Sequence, residues 1–280
     1  MQVIRTIAEM QAQSRSWSRQ GIAIGLVPTM GFLHEGHLSL VDIAKEKCGA
    51  VVASIFVNPM QFGPKEDFDN YPRDEARDLA MLEAHGTDVV FIPQTDEMYP
   101  KGFETRVELT RLPNHLCGLR REGHFRGVTT VVLKLLAAVQ PDVAVFGDKD
   151  YQQILVIRRM VCDLNLSVEV IAGPTVREPD GLAMSSRNSY LSPEERRTAA
   201  CVFQALQRAR QMVNGGAVDP IMVRRSMTEA IEQNGAQVDY VAVVDPETLE
   251  ELQIIKDRAH AAVAAFVGRT RLIDNLRLKG

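Results

Sequence analysis

Apolar residues fall along this chain in two alternating textures. Short, mainly apolar runs at residues 22–27, 50–57, 88–92, 143–146 and 167–171 have the length of strands. Between them apolar positions recur every three or four residues: Leu38, Val41 and Ala44, then Val128, Val131, Val132, Leu135 and Val139, then Ile154, Ile157 and Val161. Further helices are predicted over residues 73–85, closed by Gly86, and within residues 1–20, after a short strand; Pro141 stops the helix that carries Val139. Apolar strands alternating with amphipathic helices predict a parallel sheet covered on both faces, with right-handed crossovers.

The texture changes near Val176. Ser192-Pro193-Glu194-Glu195 is a helix start, with Ser as N-cap, Pro in the first turn and Glu three after the cap, and one helix is expected from there to Asn214-Gly215-Gly216. Asp219-Pro220 begins another helix, closed by Asn234-Gly235, and strand-like runs follow at 238–244, 260–267 and 272–276. The fold class is therefore α/β: a doubly wound parallel sheet over residues 1–176, followed by a smaller α+β domain over 177–280. Residues 100–127 are less regular. A strand is expected near 105–109, and the basic cluster Arg120, Arg121, His124 and Arg126 reads as a solvated loop, with a phosphate-facing lid as the alternative.

Composition narrows the partners. The 280 residues are 45% hydrophobic and 24% charged, with a net charge of -4, so no bulk basic field points to nucleic acid. Cys48, Cys117, Cys162 and Cys201 are far apart with no C-x-x-C pair, which predicts reduced thiols and a cytoplasmic protein. Charges or turn residues interrupt each apolar run before it could span a bilayer, so no membrane partner is expected.

In a parallel sheet ligands bind beyond the carboxyl ends of the strands. The first such loop is Val27-Pro28-Thr29-Met30-Gly31-Phe32-Leu33-His34-Glu35-Gly36-His37. It leads into a helix, whose first N–H groups and macrodipole favour an anion. Gly31 and Gly36 allow a close backbone approach, and His34 and His37 share a helix face. Two imidazoles there suit a phosphoryl group gaining charge during a displacement; the plainer reading is that they cap the helix or sit in the core. The spacing of three does not match the His-Glu-x-x-His metal motif, and neither a Gly-Lys-Ser/Thr phosphate loop nor G-x-G-x-x-G is present.

Two more loops follow strand ends. Phe56-Val57-Asn58-Pro59-Met60-Gln61-Phe62 supplies amides suited to a carboxylate-plus-hydroxyl substrate, although Asn-Pro also begins ordinary turns. Gly147-Asp148-Lys149-Asp150-Tyr151-Gln152-Gln153 opens another helix. Its acidic residues have a simple role as caps, whereas Lys149 opposes the dipole and fits a phosphate; Asp150 could hold a ribose hydroxyl, organise Lys149 or only cap, and Gln153 could face the crevice. At the domain join, Ser185, Ser186 and Arg187 could wrap a triphosphate. These residues leave open a nucleotidylyltransferase acting on a phosphate acceptor, and a catalytically silent nucleotide-binding or scaffold protein. The amides at Asn58, Gln61 and Gln153 weigh against the first, since a phosphate acceptor would want more cations.

Taken in order, Val27 to His37, Phe56 to Phe62 with Gly63-Pro64-Lys65-Glu66-Asp67, Gly147 to Gln153, and Met184-Ser185-Ser186-Arg187-Asn188 closely resemble the pantothenate synthetases, or pantoate–β-alanine ligases, over essentially the whole chain. The resemblance implies a nucleotidyltransferase-like Rossmann domain with a C-terminal lid, in a cytoplasmic homodimer that uses ATP and Mg²⁺. It implies that pantoate is adenylated with release of pyrophosphate, and that β-alanine then displaces AMP to give pantothenate, the vitamin from which coenzyme A is made. It carries ATP contacts to Met30, Gly31, His34, Gly36, His37, Gly147, Asp148, Lys149, Asp150, Val176, Met184, Ser185, Ser186 and Arg187, with His37 as the family's proton donor. It places pantoate on Gln61 and Gln153, and β-alanine near Gln61. With the residue chemistry, this makes His37, His34, Lys149 and Arg187 the catalytic set and adds Asn58 and Met30 to the substrate set; no protein ligand is expected for the metal.

Overall fold

The structure, a computed structural model, describes residues 1–64 and 66–280. Lys65, part of the stretch quoted after Phe62, lies outside the described residues. The chain divides into two compact units that are not contiguous in sequence. The first comprises Met1–Thr110, Arg121–Asp148 and Gln153–Pro174; the second comprises Arg111–Arg120, Lys149–Gln152 and Thr175–Gly280.

The first unit runs β1 (Gln2–Ile4), α1 (Ile7–Arg19), β2 (Ile24–Thr29), α2 (Glu35–Lys47), β3 (Ala50–Ile55), α3 (Glu75–Ala84), β4 (Val89–Phe91), α4 (Thr95–Met98), α5 (His124–Val139) and β5 (Val143–Gly147). It continues through α6 (Tyr151–Asp163), whose first two residues are grouped with the second unit, to β6 (Glu169–Gly173). The strands form a sheet in the order β1-β4-β3-β2-β5-β6, parallel throughout. Ile24 to Thr29 of β2 lie opposite Ala50 to Ile55 of β3 in unbroken register, and β5 pairs with β2 at Gly25 and Leu26. From β2 the chain winds outward through β3 and β4, then returns to the other side of β2 as β5 and β6. The order therefore reverses between β2 and β5, which is where such sheets leave a ligand crevice at their carboxyl edge. Val27, Leu38, Val41, Val51, Val90 and Val145 belong to one buried cluster between this sheet and its helices, as their periodicity requires.

Two expectations fail. Residues 105–109 form no strand, because both backbone groups of Val107 are taken by helix α5: Val107 N–H donates to Thr130 Oγ1 (3.0 Å), and Thr129 Oγ1 donates to the Val107 carbonyl (2.6 Å). Threonines that look like ordinary helix residues thus replace a neighbouring strand. The single helix expected after Ser192 is two, α7 (Pro193–Ala199) and α8 (Cys201–Asn214). The residue between them, Ala200, keeps helical angles, φ -61° and ψ -22°, so the interruption is a break in the hydrogen-bond ladder and not a loop. The capping box at Ser192 and Glu195 forms as read.

The second unit also contains α9 (Pro220–Gln233) and an antiparallel sheet of β7 (Gln237–Val244), β8 (Ala259–Val267) and β9 (Thr270–Lys279), in the order β7-β8-β9. Leu206 of α8, Met227 of α9, Val243 of β7 and Val263 of β8 meet in its core. Six-stranded parallel α/β architecture followed by a small α+β unit is the fold class expected.

His260, on β8, is 2% exposed. Its Nε2 lies 2.9 Å from Asn275 Oδ1, and Nδ1 has no hydrogen-bond partner among the described residues. Burial pushes this imidazole down to about 4. The folded group therefore stays neutral over a range where the unfolded one, near its ordinary 6.5, binds a proton. Its contribution is present in full above 6.5 and is lost as pH falls toward 4, a total of ~3 kcal/mol. Chemical denaturation of the parent and of His260→Phe at pH 7 and pH 4 checks this: the loss of stability on acidification is expected to be ~3 kcal/mol smaller in the variant. Equal losses would show that His260 does not resist protonation.

Candidate functional site

The carboxyl end of β2 is shaped by an unusual backbone. Gly31 and Phe32 both have positive φ, 82° and 50°, and a Cβ on Gly31 would stand 3.0 Å from Asp78 Oδ2 and from Ile55. This turn is held by Asp78, a 1% exposed carboxylate on α3: Phe32 N–H donates to Oδ2 (2.7 Å) and Leu33 N–H to Oδ1 (2.8 Å). Burial raises the Asp78 carboxyl above its ordinary range, against the opposing pull of those two donors and of Arg77. Arg77 Nη2 also donates to the Leu33 carbonyl (2.9 Å).

The turn delivers His34 to the N-cap of α2 and His37 to its first turn. His34 Nδ1 accepts from Gly36 N–H (3.1 Å), and His37 Nδ1 accepts from His34 N–H (3.4 Å), a reciprocal capping box made of two imidazoles. Their ring centroids are 4.0 Å apart. This revises the expected picture of bare N–H groups beside two histidines, since the N–H groups of His34 and Gly36 are spent on the rings. It also assigns the tautomers. An Nδ1 that accepts from backbone carries no proton, so in the neutral ring the proton is on Nε2 and each imidazole is a donor there. The capping reading and the ligand-binding reading are compatible, because the cap bonds use Nδ1 of each ring and a donor role toward a ligand would fall to Nε2.

At the end of β3, Asn58 caps the 3-10 turn Pro59–Gln61. Asn58 is 1% exposed and committed at each valence: Oδ1 accepts from Tyr99 Oη (2.7 Å) and Met60 N–H (3.2 Å), while Nδ2 donates to Gln61 Oε1 and to the Gly127 carbonyl, both at 3.1 Å. Burial pushes the Tyr99 hydroxyl up, which keeps it a donor. Asn58, expected to face substrate, is here the residue that orients Gln61. Gln61 Nε2 donates to Met30 Sδ (3.0 Å), so the structure brings Met30, Asn58 and Gln61 together. One N–H and one lone pair of the Gln61 amide remain unused by these contacts.

Two members of the basic cluster, Arg121 and His124, turn inward instead of lying in a solvated loop. His124 Nδ1 donates to the Gln61 carbonyl (2.8 Å), which leaves Nε2 to accept from Arg121 Nη1 (3.0 Å). Arg121 Nη2 also donates to that carbonyl (3.3 Å), and its guanidinium pairs with Glu66 at 2.5 Å. Burial alone would raise the Glu66 carboxyl, but Arg121, together with a backbone hydrogen bond from Gly63 and the nearby His124, holds the group below its ordinary range. Arg121 and His124 thus brace the Gln61 loop from the start of α5. Arg126 is exposed, and Arg120, in the second unit, pairs with Asp239 at 3.4 Å.

The remaining residues divide between the units. Gly147 ends β5, Asp148 follows it, and Gln153 is half-buried in the first turn of α6, all in the first unit. Lys149, Asp150, Val176, Met184, Ser185, Ser186 and Arg187 belong to the second. There Met184 N–H donates to the Val176 carbonyl (3.0 Å), and Arg177 bridges to Ala183, closing a narrow hairpin. Arg177 grips Asp274 with two bonds, 2.6 and 3.0 Å, and lies 3.8 Å over the Phe203 ring. Ser185 Oγ accepts from Arg187 N–H (3.3 Å), capping the 3-10 turn Ser186–Tyr190 that carries Ser186 and Arg187. Asn188 Nδ2 donates to Glu178 (2.9 Å) across the hairpin. Gln152 is structural: it donates to the Leu112 and His115 carbonyls and accepts from Cys117 N–H. The adjacent Gln153 points elsewhere, about 100° around the helix.

Sequence reasoning missed Asp78, Tyr99, Arg121 and His124 as supports of the site. Asp78 had one signal, a carboxylate one helical turn from the buried Leu82, where the apolar stripe should continue. Tyr99 had none, since its partner lies forty-one positions earlier.

Comparison with known proteins gives a consistent result. The family model described as pantoate-beta-alanine ligase matches residues 2–277. The chain is 53% identical over 277 residues to the pantothenate synthetase of Heliobacterium modesticaldum and 52% identical over 277 residues to that of Acetivibrio thermocellus, covering 99% of each chain in both cases. Its structure is similar to the pantothenate synthetase of Thermus thermophilus, with TM-score 0.94, 47% identity and 100% of both chains covered. It is also similar to the pantoate-beta-alanine ligase of Francisella tularensis, with TM-score 0.85, 34% identity, and 99% and 98% of the two chains covered; that protein was crystallised in complex with beta-gamma ATP and beta-alanine.

Proposed function

Because this chain belongs to the pantoate–beta-alanine ligase family, we propose that its residues carry out the ligase reaction through an enzyme-bound pantoyl adenylate. The enzyme joins pantoate to β-alanine at the expense of ATP, making pantothenate. In the first step a pantoate carboxylate oxygen attacks the α-phosphorus, the bond to the bridging oxygen breaks, and pyrophosphate leaves. In the second the β-alanine amine attacks the activated carbonyl, the bond from that carbonyl carbon to the phosphate oxygen breaks and AMP leaves, and the nitrogen loses one proton to solvent and keeps one as the amide N–H.

An in-line displacement needs no side-chain nucleophile, so the work is orientation and stabilisation of growing charge. The observation that carries the proposal is the pair of capped imidazoles on α2. Held through Nδ1 and protonated on Nε2, His34 and His37 are neutral donors suited to phosphate oxygens that gain charge. Gln61, fixed by Asn58, Met30, Arg121 and His124, offers an amide that orients pantoate, with Gln153 as the second amide and β-alanine entering near Gln61. Gly31, Gly36, Gly147, Asp148, Asp150, Val176, Met184, Ser185 and Ser186 are assigned to the nucleotide, and Lys149 and Arg187 to its phosphates. Residues 1–176 would then supply most of the nucleotide and pantoate contacts, and residues 177–280 would act as the lid.

Magnesium would accompany ATP and would supply neutralisation of phosphate charge, with no protein residue assigned to hold it. Among the described residues no group of three or more His, Cys, Asp or Glu side chains could cage it. No helix among them is long and apolar enough to cross a membrane. A cytoplasmic location and a homodimer are part of this proposal, and sedimentation of the purified protein tests the second.

Exchange of labelled pyrophosphate into ATP tests the central step. We expect exchange that depends on pantoate, followed by AMP and pantothenate once β-alanine is added. Exchange driven by a phosphate ester, or ATP binding with no exchange, would overturn the assignment.

A further inference from the structure

Lys149 owes its backbone position to the C-terminal sheet. Its carbonyl accepts a hydrogen bond from Asn275 Nδ2 (2.9 Å), across 126 positions of sequence. Asn275 lies on β9, is 7% exposed, and cannot turn its amide round, because the Lys149 carbonyl can only accept; Oδ1 then accepts from His260 Nε2 (2.9 Å) on the adjacent strand β8. A carbonyl oxygen can accept from His260 and the NH₂ group can donate to Lys149 in one orientation only.

The same histidine holds the turn at its other end. The Tyr151 ring stacks on His260 at 3.8 Å between centroids with 13° between planes, and Tyr151 Oη donates to the Pro246 carbonyl (2.6 Å). Lys149 and Tyr151, two residues apart, are thus pinned to one His260–Asn275 pair, one by its carbonyl and the other by its ring. The neighbour on β9, Asp274, accepts from Asn275 N–H (2.8 Å) and grips Arg177, at the base of the hairpin that leads to Ser185 and Arg187. Consecutive strand residues point to opposite faces, so one dipeptide reaches both nucleotide-facing segments of this unit.

We propose that Asn275 is a positioning residue for Lys149: it sets where the Lys149 backbone sits, and through it where the ammonium group meets the phosphates. This rests on the reading that Lys149 contacts the nucleotide. A displacement of about 1 Å at a positioned charge can cost about a hundredfold in rate, so one buried amide can matter without touching substrate.

The test compares four proteins in pantoate-dependent pyrophosphate exchange: parent, Asn275→Ala, Lys149→Ala and the double variant, with the folded fraction of each measured by circular dichroism. Asn275→Ala is expected to lower kcat/KM for ATP by about ten- to a hundredfold in the parent, and by less than about twofold when Lys149 is already alanine. Asn275→Asp, the same size and still an acceptor for His260 but no donor to Lys149, gives the same comparison should the alanine variant not fold. A loss of equal factor in both backgrounds, or no loss in the parent, overturns the inference and leaves the role of Lys149 intact. Lys149→Ala within a few fold of the parent removes Lys149 from the reaction, and the inference with it.

Discussion

Replacing His37 with alanine is expected to slow pantoyl-adenylate formation by about two to four powers of ten, the scale for losing a donor to developing charge or a proton-transfer group. Two contacts disappear. One is the ring itself, whose Nε2 carries the proton because Nδ1 accepts from His34 N–H. The other is that cap bond, and losing a cap typically costs about 1 kcal/mol of stability. The two are separable. The cap loss moves the denaturation midpoint, whereas the ring loss lowers pyrophosphate exchange in protein that is fully folded. His37→Asn, which keeps a short acceptor near the helix start but has no ring, is expected to recover stability and not rate. Exchange within a few fold of the parent in either variant would take His37 out of the mechanism.

Gly127→Ala should damage the enzyme from outside the ligand crevice. A Cβ at this position on α5 would lie 2.3 Å from the Met60 carbonyl oxygen, 2.5 Å from its carbon and 2.7 Å from Gln61 Cα. These are backbone atoms, so no side chain can swing aside, and the loop after β3 has to move. Forcing a group into a packed interior typically costs about 1–3 kcal/mol. The loop that moves holds Gln61, whose carbonyl is bound by His124 and Arg121 and whose amide is set by Asn58. A shift near 1 Å there predicts a fall of about a hundredfold in kcat/KM for pantoate. Steady-state kinetics with pantoate varied, alongside a denaturation curve, reads both effects. Unchanged kinetics at unchanged stability would mean that the loop has room the structure does not show.

Much of the fold was legible because its signals are local. The apolar runs at 50–57 and 143–146 became β3 and β5, and the capping box at Ser192 formed. One misreading and one reading that held for only half of its residues share a cause. Residues 105–109 have strand composition, but strand formation needs a neighbouring backbone, and Val107 found threonine hydroxyls instead. The basic residues at 120–126 have the composition of a solvated loop, yet Arg121 and His124 turn inward to the Gln61 carbonyl and Glu66, partners that lie about sixty positions away. Neither outcome can be read from charge or hydropathy, because both depend on which distant groups arrive at the same place.

The sequence by itself determined the alternation of strands and helices, the loops that follow β2, β3 and β5, and the residue types those loops offer a phosphate and a carboxylate. These follow from periodicity, turn chemistry and motif order, each confined to about a dozen neighbouring residues. Tertiary structure alone decided how those residues are held: the tautomers of His34 and His37, the inward commitment of Asn58, the burial of Asp78 beneath the Phe32 turn, and the tie from Asn275 to Lys149. A hydrogen bond needs its two partners within about 3 Å, and separation along the chain places no limit on which two they are.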